Sequence, residues 1–549
     1  MAFNPDSAIQ DWRHLVEVQL DSGSVYFSKD AVVIGSTLYQ GRLESITPLH
    51  LSAGGLLDPR IVTPGLSFSL DNANNAISAL LDADTWVNRL VIIKVGQGKT
   101  ATDYDEVYRG KIQFGGISFD DQFVNINLVD ARQGDSKVLP TGKFFASTYA
   151  NVEAKSANLP IPLVYGDWSS GAEGAQQVPA YCIDTTAGTG GKFKIASHAL
   201  KEIGNVYLNG ADITANCTLD AANGEFTISS TSTYDELLDV VTVHCKGATN
   251  DGTTSGTLLV SLVDILDDLL QTHLDVDAAD IDSTAMAAWA GELSASDEGR
   301  RVISSELSSD TIITSLLVEG FADLTIQDGK YYPLYRVVNT SGLTTYRDFD
   351  IKARGDGRKN FAVILDEERV FINQVVAQYQ YDPAGAKYGK RYDKDNSASQ
   401  ASVGATKRRR LQMDWLYKAN GAQDRAEREL WAYSSEVENL QVSIGPKALA
   451  LVPTDQFRLD YGKFAESGGL SAAPFQIREI TADFDRMEAI IRCWNITQLS
   501  AGVWTADSAP TWLLSNATQR SENGFWTDAS GYADTSGSPD PASASSRWF

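Results

Sequence analysis

The chain has 549 residues, of which 43% are hydrophobic, and its formal net charge is -25 at pH 7. A chain of this length exceeds what a single hydrophobic core supports, so we expect roughly two to four domains. The acidic balance argues against a general nucleic-acid binder, because affinity for phosphates comes largely from Lys and Arg. It is compatible with DNA passing near a surface that must not hold it.

The start of the chain and the cysteines bear on the cellular compartment. Met1–Asp6 contains neither a basic nor an apolar stretch, so we expect no signal peptide, and no run is long and apolar enough to span a bilayer. We therefore expect synthesis and folding in a cytoplasm. The cysteines are Cys182, Cys217, Cys245 and Cys493, with no Cys-x-x-Cys pair. We expect buried free thiols, with a Cys217–Cys245 disulfide as the alternative.

Alternating apolar and polar residues predict a β-rich region over residues 12–140. The clearest pair of strands is Lys111–Phe119 with Phe123–Leu128, joined by a turn at Asp120-Asp121. Several strands with short turns favour a barrel or curled sheet. Further elements are predicted at Leu15–Leu20, Val25–Phe27, Val32–Ile34, Leu66–Leu70 and Leu90–Val95 (strands) and Asn74–Leu81 (a short helix).

Prolines mark a connector at residues 141–165, because Pro140, Pro160 and Pro162 hold the chain extended. A second β segment follows, and stretches rich in Gly, Ser and Thr near its two ends are typical of the junctions of an inserted domain. Its predicted strands are Lys192–Ala196, Asn205–Gly210, Glu225–Ser229 and Val240–Cys245.

The middle of the chain predicts a compact unit of helix, polar connection, helix and hairpin. Apolar residues at helical spacing predict the first helix over Leu262–Leu270. The second helix is predicted over Asp310–Leu317, with Ser309 or Asp310 as its cap. The pair Asp328-Gly329 predicts the turn of the hairpin.

A third β region begins with a long strand at Phe371–Tyr381. The small and polar residues 383–406 predict a mobile loop, and residues 422–437 predict a helix. Strands are then predicted at Asn439–Ile444, Gln456–Leu459, Phe475–Ala482 and Met487–Trp494.

From about residue 500 the composition shifts to Ser, Ala, Gly, Thr and Asp, with aromatic residues spaced along it. Such a segment cannot build a core alone, but its aromatic side chains can dock onto another surface. The candidate partner-docking residues are Trp504, Trp512, Phe525, Trp526, Trp548 and Phe549.

Two patterns that suggest ligand sites fail on spacing. Val95–Thr100 ends in Gly-Lys-Thr, but Ile93 stands where a phosphate loop needs glycine, so we interpret it as a hairpin tip. The aspartates between Asp275 and Asp282 suggest a calcium loop, yet Met286 occupies the position of its final acid, so we interpret them as a solvated acidic connector.

No enzyme, cofactor or metal site is predicted. The five histidines lie at no metal-ligand spacing from another His or Cys, apart from the neighbours His244 and Cys245, which as adjacent strand residues point to opposite faces. The chain has no Gly-x-Ser-x-Gly or His-Glu-x-x-His motif. Lys407–Arg410 is the one dense basic run. In so acidic a chain we interpret it as a solvated loop or a protein-docking patch rather than a nucleic-acid site.

The order of segments resembles the tail hub proteins of long-tailed bacteriophages, a family that includes the hub of contractile tails and the tail-tip hub of siphophages. The resemblance is carried by Tyr108–Asp130 closing at Leu139-Pro140, by Ile161–Asp167, and by the helices and turn between Leu266 and Lys330, and it spans most of residues 10–500. Some tail-tip relatives hold an iron–sulfur cluster on closely spaced cysteines. This chain lacks such cysteines, so the resemblance implies no cofactor here.

The resemblance implies a mainly β fold with a few helices (α+β). It implies a first hub β-barrel domain at residues 10–150, an inserted β domain at 165–256, a central helix–hairpin domain at 257–370, a second hub β-barrel domain at 371–498 and an extended tail at 499–549. It also implies a homotrimer whose chains present two barrels each, so that a threefold tip meets a sixfold tail tube.

The implied function is structural, at the tail tip of a virion. The hub would close the tail tube, contact a distal tail or tube protein and the C-terminus of the tape-measure protein, anchor a central fibre or spike, and open for DNA at infection. Contact with a host outer membrane would come through the assembled tip. A negative lumen, which repels DNA phosphates, is our hypothesis for the acid excess.

Two other functions compete with this one. The chain could be a receptor- or carbohydrate-binding tail tip protein, with residues 167–255 as the recognition module. A cell-wall hydrolase carried in the tip is the third hypothesis, and the absence of a catalytic motif argues against it.

Overall fold

The computed structural model describes residues 12–52, 65–120, 122–130, 136–174, 176–187, 190–229, 234–294, 296–327, 330–335, 343–353, 359–364, 371–433, 439–449, 451–462 and 470–495. This part of the chain is mainly β with a few helices, as the sequence predicted. The chain divides into two compact units: Met1–Leu49, Ala53–Arg336 and Phe371–Leu430 form the first, and His50–Ser52, Val337–Val370 and Trp431–Phe549 the second. Within the described ranges, no helix has the length and apolar character needed to cross a bilayer.

The N-terminal region is built around one large sheet. Its elements are β1 Arg13–Leu20, β2 Gly23–Ser28, β3 Val32–Ile34, β4 Thr37–Gly41, β5 Leu43–Ile46, β6 Leu49–Ser52, β7 Leu66–Asp71, α1 Ala76–Ala83, β8 Leu90–Gly96, β9 Tyr104–Phe119 and β10 Phe123–Asp130. Nine of these strands form a sheet in the order β3-β4-β2-β1-β8-β9-β10-β7-β5. The predicted pairing of Lys111–Phe119 with Phe123–Leu128 is confirmed by the β9–β10 register.

The β8–β9 hairpin confirms the interpretation of Val95–Thr100 as a hairpin tip. The backbone N–H groups of Lys99 and Thr100 donate to the Asp103 carboxylate at 3.0 and 2.8 Å. These donors are therefore already used within the turn, whereas a phosphate loop directs its donors at a ligand.

Two small sheets enclose one core in the segment predicted as an inserted β domain. Before this segment come β11 Val138–Leu139 and β12 Leu163–Tyr165, which pair with strands of the central region. The strands of the segment itself are β13 Val178–Pro179, β14 Tyr181–Asp184, β15 Lys192–Lys194, β16 Glu202–Leu208, β17 Ala211–Asp212, β18 Cys217–Asp220, β19 Glu225–Ile228 and β20 Val241–Lys246. The sheets run β13-β20-β16-β17 and β14-β15-β19-β18. Phe193 and Phe226 from one sheet and Val206 and Val243 from the other belong to the same buried cluster.

The prediction of an extended connector at residues 141–165 is wrong for residues 145–159. Successive turns run from Phe145 to Leu159, closed by main-chain bonds such as Tyr149 to Phe145 and Ala157 to Glu153. The reason is a buried anchor: Glu153 is 2% exposed. Its carboxylate accepts bonds from Ser156, the N–H of Cys182 and the Tyr234 hydroxyl.

The central region contains α2 Leu262–Asp268, which continues as a π-helical turn at Leu269–His273, then α3 Ser283–Glu292, β21 Arg301–Ile303, β22 Leu307–Ser308, α4 Ser309–Glu319, β23 Ala322–Gln327 and β24 Lys330–Tyr335. The predicted hairpin is confirmed by the β23–β24 pairing, and its turn residues Asp328-Gly329 lie outside the described residues. The sequence did not predict α3. Only three side chains of that helix are buried, Ala285, Met286 and Trp289, so its apolar stripe is too short to give a periodic signal.

The cap predicted for α4 is off by one or two residues. Ser308, not Ser309 or Asp310, accepts the N–H of Thr311 at 3.2 Å. Ser309 is 1% exposed, and its hydroxyl instead accepts the N–H of Lys137 at 3.1 Å. The hydroxyl of Ser309, which the local sequence favours as the cap, is therefore used in a contact with a residue distant in the chain.

The C-terminal part contains β25 Thr345–Arg347, β26 Phe361–Ile364, β27 Gln374–Asp382, β28 Lys387–Asp395, α5 Ser397–Val403, β29 Arg408–Gln412, α6 Ala419–Tyr433, β30 Asn439–Ile444, β31 Gln456–Tyr461, β32 Leu470–Asp483 and β33 Glu488–Asn495. The mobile loop predicted at residues 383–406 is wrong, because β28 and α5 occupy most of it. β28 pairs with β27 along its whole length. The sequence of β28 shows no clear alternation of apolar and polar residues, because only Tyr388 and Tyr392 are partly buried and most of the other residues are charged.

The second unit is one sheet in the order β25-β31-β32-β33-β30-β26, and β6 pairs with β32. Phe457, Phe475 and Ile491 lie in its core and are fully buried. The N-terminal segment 50–52 is tied to this sheet by His50, whose ring contacts Thr481 and Glu479 at 3.0 Å each. The boundaries of the two predicted barrel domains stay a prediction.

We expect Ser308→Ala to lower the opening free energy of α4 by about 1 kcal/mol, because the first turn then loses its capped N–H. Hydrogen exchange of peptides covering residues 309–319 measures this change. Asp310→Ala leaves the cap in place and is the control, with a smaller expected effect. Equal protection in Ser308→Ala and wild type would contradict the assignment of the cap.

Candidate functional site: a buried junction and exposed contact surfaces

The aspartates that suggested a calcium loop serve as structural caps and pairs. Asp277 accepts the N–H of Ala279, and Asp282 accepts the N–H of Ala285 at the start of α3, both at 2.9 Å. Asp275 forms an ion pair with Lys137. In the described part of the chain, no group of three or more His, Cys, Asp or Glu side chains is arranged to hold a metal ion.

All four cysteines are free thiols. Cys182, Cys245 and Cys493 are buried and Cys217 is partly exposed. Burial raises the pKa of Cys182 to about 12 and that of Cys217 to about 11. These thiols are therefore protonated at neutral pH and are poor nucleophiles and poor metal ligands.

A buried cation lies where three distant segments of the first unit meet. Arg300 is 2% exposed, and its guanidinium carbon lies 4.8 Å from the ring centre of Trp168 and 4.3 Å from that of Tyr417. Its nitrogens donate to the backbone carbonyls of Glu173 and Gly174. Burial lowers the pKa of Arg300 to about 10, so the side chain remains cationic at neutral pH. A lysine could not span two rings and two carbonyls at once.

A buried carboxylate lies in the same junction. Glu319, the last residue of α4, is 6% exposed. Its oxygens accept the N–H of Asp414 at 2.8 Å, of Trp415 at 3.0 Å and of Leu416 at 2.7 Å. Burial raises the pKa of Glu319 to about 8, and the charge of Asp414 adds to the rise, while the three N–H donors oppose it.

Trp415 completes the junction between these two side chains. Its indole nitrogen donates to the Ser315 hydroxyl at 3.0 Å, and the Arg301 guanidinium lies 5.2 Å from its ring centre. Arg301 also pairs with Asp414 at 3.1 Å. The segment that follows β29 is thus bonded to α4 through main chain and side chains, which fixes β29 relative to the central helices.

Helix α6 is fastened to the same region by a second set of buried charges. Arg425 lies 3.8 Å from the ring centre of Phe321 and donates to the carbonyl of Val318 at 2.8 Å. It also pairs with Glu429 one turn later, and Arg409 of β29 reaches the other oxygen of Glu429 at 3.2 Å. One face of the sheet that contains β29 is therefore covered by α6.

The most exposed large apolar side chains of the described residues lie at two places. Phe114 is 90% exposed at an irregularity of β9, next to Gly115, whose φ of 70° favours glycine. Leu237 and Leu238 are 91% and 79% exposed, on a turn closed by the bond from the N–H of Asp239 to the carbonyl of Asp235. Contiguous apolar patches mark protein contact surfaces, whereas single exposed apolar side chains are common on any protein.

Sequence reasoning missed the main residues of the junction. Arg300 and Glu319 belong to no motif, because their partners are main-chain groups that leave no mark in the sequence. The adjacent leucines at 237–238, in an otherwise polar stretch, were a readable signal for an exposed contact. The predicted docking residues Trp504, Trp512, Phe525, Trp526, Trp548 and Phe549 lie outside the described residues.

No protein-family model matches the chain, and no curated protein matches it. Solved structures with partial likeness include a 43 kDa tail protein of prophage MuSo2 from Shewanella oneidensis (11% identity, TM-score 0.39, 88% of this chain and 98% of that chain covered). A tail protein from Neisseria meningitidis MC58 has 9% identity and a TM-score of 0.40, with 88% and 96% covered. A chain of a gene transfer agent virion has 12% identity and a TM-score of 0.40, with 65% and 89% covered. TM-scores this low do not establish a shared fold, so these likenesses carry no argument about this chain.

We expect the stability of the first unit to fall by a few kcal/mol, as an order of magnitude, as pH rises from about 4.5 to about 8. The pKa of Glu319 in the fold is raised above its ordinary 4.5 to about 8, so in this window the folded state holds a proton that the unfolded state has released. Thermal unfolding midpoints between pH 5 and pH 9 measure the slope. Glu319→Gln keeps the side chain neutral and should flatten it.

The matched control is Glu306→Gln, an exposed glutamate paired with Lys143. This variant should keep the wild-type slope. A Glu319→Gln profile parallel to that of wild type would show that the buried carboxyl does not titrate in this range.

Proposed function

We propose that this chain is a non-enzymatic structural protein of a phage tail, the homotrimeric hub of a tail tip or baseplate. The observation that carries the proposal is the order of its parts: a β region, an inserted β domain, a helix–hairpin unit and a second β region, in the sequence pattern that resembles tail hubs. It is supported by two large antiparallel arrangements at the two ends of the chain, β8-β9-β10 and β31-β32-β33-β30.

The physical role of such a chain is to match two symmetries. In the proposal, the nine-stranded sheet supplies the first barrel, and the sheet of the second unit supplies the second. Three copies then present six related barrels around one axis. A ring of this kind meets a sixfold tube on one side and a threefold fibre or spike on the other.

The proposed partners follow from this position. They are a distal tail or tube protein, the C-terminus of the tape-measure protein, and a central fibre, spike or other tip protein. The chain is made in the host cytoplasm and acts in the virion, where DNA passes through the lumen without sequence-specific contact. The net charge of -25 supports this passage, because a negative wall repels phosphates.

We expect the full chain to form a trimer in which barrels of both types alternate around the axis. Light scattering on the size-fractionated protein gives the mass, and particle averaging gives the arrangement. A monomer at every concentration tested, or a ring whose two sheets do not alternate, would contradict the proposal. Binding of host glycans by isolated trimers would instead favour a receptor-binding tail tip protein.

We expect the segment after residue 498 to hold a neighbouring tip protein through its aromatic side chains. Replacing Trp504, Trp512, Trp526 and Trp548 by Ala should leave the ring intact and remove one tip protein from assembled tails, as measured by mass spectrometry of purified particles. Replacing the same four residues by Phe keeps the aromatic faces and is the control. Unchanged tail composition in the Ala variant would rule this role out.

A further inference from the structure

One module of this acidic chain is basic. Residues 371–433 contain eleven Lys and Arg against seven Asp and Glu, whereas the whole chain has a net charge of -25. The densest run is Lys407–Arg410, which we interpret from the sequence as a solvated loop or a protein-docking patch. The structure instead places Arg408–Gln412 in β29, which pairs in parallel with β27 in a sheet of order β28-β27-β29.

The pairing register brings the outward basic residues onto one face of this sheet. Gln374 of β27 lies between Asp395 and Arg408, and Val376 lies between Asp393 and Arg410. Gln378 lies between Arg391 and Gln412 in the next row. Paired residues in a sheet share a face, and alternate residues of a strand share it too. We call the face that carries Arg391, Arg408 and Arg410 the basic face.

The opposite side of the sheet is already occupied. Arg409 turns toward α6 and pairs with the buried Glu429 at 3.2 Å, and Lys394 pairs with Glu427 at 3.1 Å. Tyr392 donates to Glu427, and Leu411 is 7% exposed. Because α6 holds this side, Arg408 and Arg410 face away from it, and both are exposed.

A second stretch of the same unit is strongly acidic. Residues 247–299 contain eleven Asp and Glu and neither Lys nor Arg. Asp264 on α2, Asp277 before α3 and Glu292 at the end of α3 are exposed. One compact unit therefore carries a basic face and an acidic stretch, and the acidic stretch reaches the basic module of its own chain at Glu298, which pairs with Lys418 at 2.8 Å.

We infer that the basic face is a contact surface between copies of this chain, and that it receives the acidic stretch 247–299 of a second copy. The inference rests on the proposed trimer and names its electrostatic contact. Two different patches that meet head to tail make a heterologous interface, which closes into a ring when the rotation allows it. Identical chains of net charge -25 repel one another, so a local region of opposite sign favours their contact.

The composition of the basic face favours a protein over nucleic acid. Asp393 and Asp395 lie on it between the arginines, and Arg391 pairs with Asp393 at 2.9 Å. These carboxylates would repel the continuous phosphates of a nucleic acid, whose binding depends on uninterrupted cation contacts. A protein surface with spaced carboxylates is complementary to the alternating charges of the basic face. Arg also binds carboxylates through bidentate hydrogen bonds.

The test is the oligomeric state of the full chain, measured by sedimentation equilibrium at 50 and 500 mM NaCl. Wild type should form trimers that weaken with salt. Arg408→Glu with Arg410→Glu should raise the dissociation constant roughly 10- to 100-fold at low salt, because attraction becomes repulsion. Arg408→Gln with Arg410→Gln should have a smaller effect. Lys330→Glu with Arg486→Glu changes the net charge equally at other exposed positions and should leave assembly unchanged.

Reversing the charges on both the basic face and the acidic stretch tests whether the two surfaces bind each other. Asp264→Lys with Glu292→Lys, added to the double Glu variant, should restore trimers. Hydrogen exchange of α6 confirms that each variant is folded. Trimers of unchanged affinity in the double Glu variant would overturn the inference, as would disruption without restoration, or duplex DNA binding by the basic face with no effect on assembly. A wild-type chain that never oligomerises would instead overturn the proposed trimer itself.

Discussion

The first unit depends on two buried ionisable side chains, a guanidinium and a carboxyl, that are bound by backbone groups rather than by each other. Arg300 is bound by the carbonyls of Glu173 and Gly174 between two aromatic rings, and Glu319 by the N–H groups of residues 414–416. A buried charge that loses its partners costs far more than an ordinary contact. The loop after Trp168 and the segment after β29 therefore have one acceptable position each. The side chains that fix them are Arg300, the residue before β21, and Glu319, the last residue of α4.

This constraint gives the basic strand its rigidity. β29 ends at Gln412, and residues 414–416 bind Glu319 directly afterwards. Beyond them, α6 returns across the inner face of the sheet and pairs with Arg409. A basic run on a flexible loop would lose side-chain and main-chain entropy on every contact. Here the main chain is already ordered, so a partner has only the arginine side chains to immobilise.

The sequence predicted what periodicity can encode. The β8–β9 and β9–β10 hairpins, the core of α4 and the β23–β24 hairpin followed from apolar spacing. The sequence failed where tertiary contacts override local signals. Ser309 accepts the N–H of Lys137 and does not cap α4, and buried Glu153 accepts the N–H of Cys182 and stabilises turns in the predicted connector. It also failed at β28, whose outward charges mimic a loop. The sequence did single out the basic run Lys407–Arg410. It could not predict which residues lie beside that run in the sheet, because the register of β27 with β28 and β29 cannot be read from composition.

The distribution of charge bears on how a tail hub, as proposed, could be both stable and openable. An interface made only of apolar groups would expose them to water when the lumen opens, which is costly and promotes aggregation. Contacts between the basic face and an acidic stretch are individually weak and remain hydrated when they separate. Spread over the copies of the proposed ring, they would hold a closed state through their number, while each could part without a large barrier. In such a ring, the buried guanidinium and carboxyl of the junction would have the opposite role, since they fix the segments within one subunit and not the contacts between subunits.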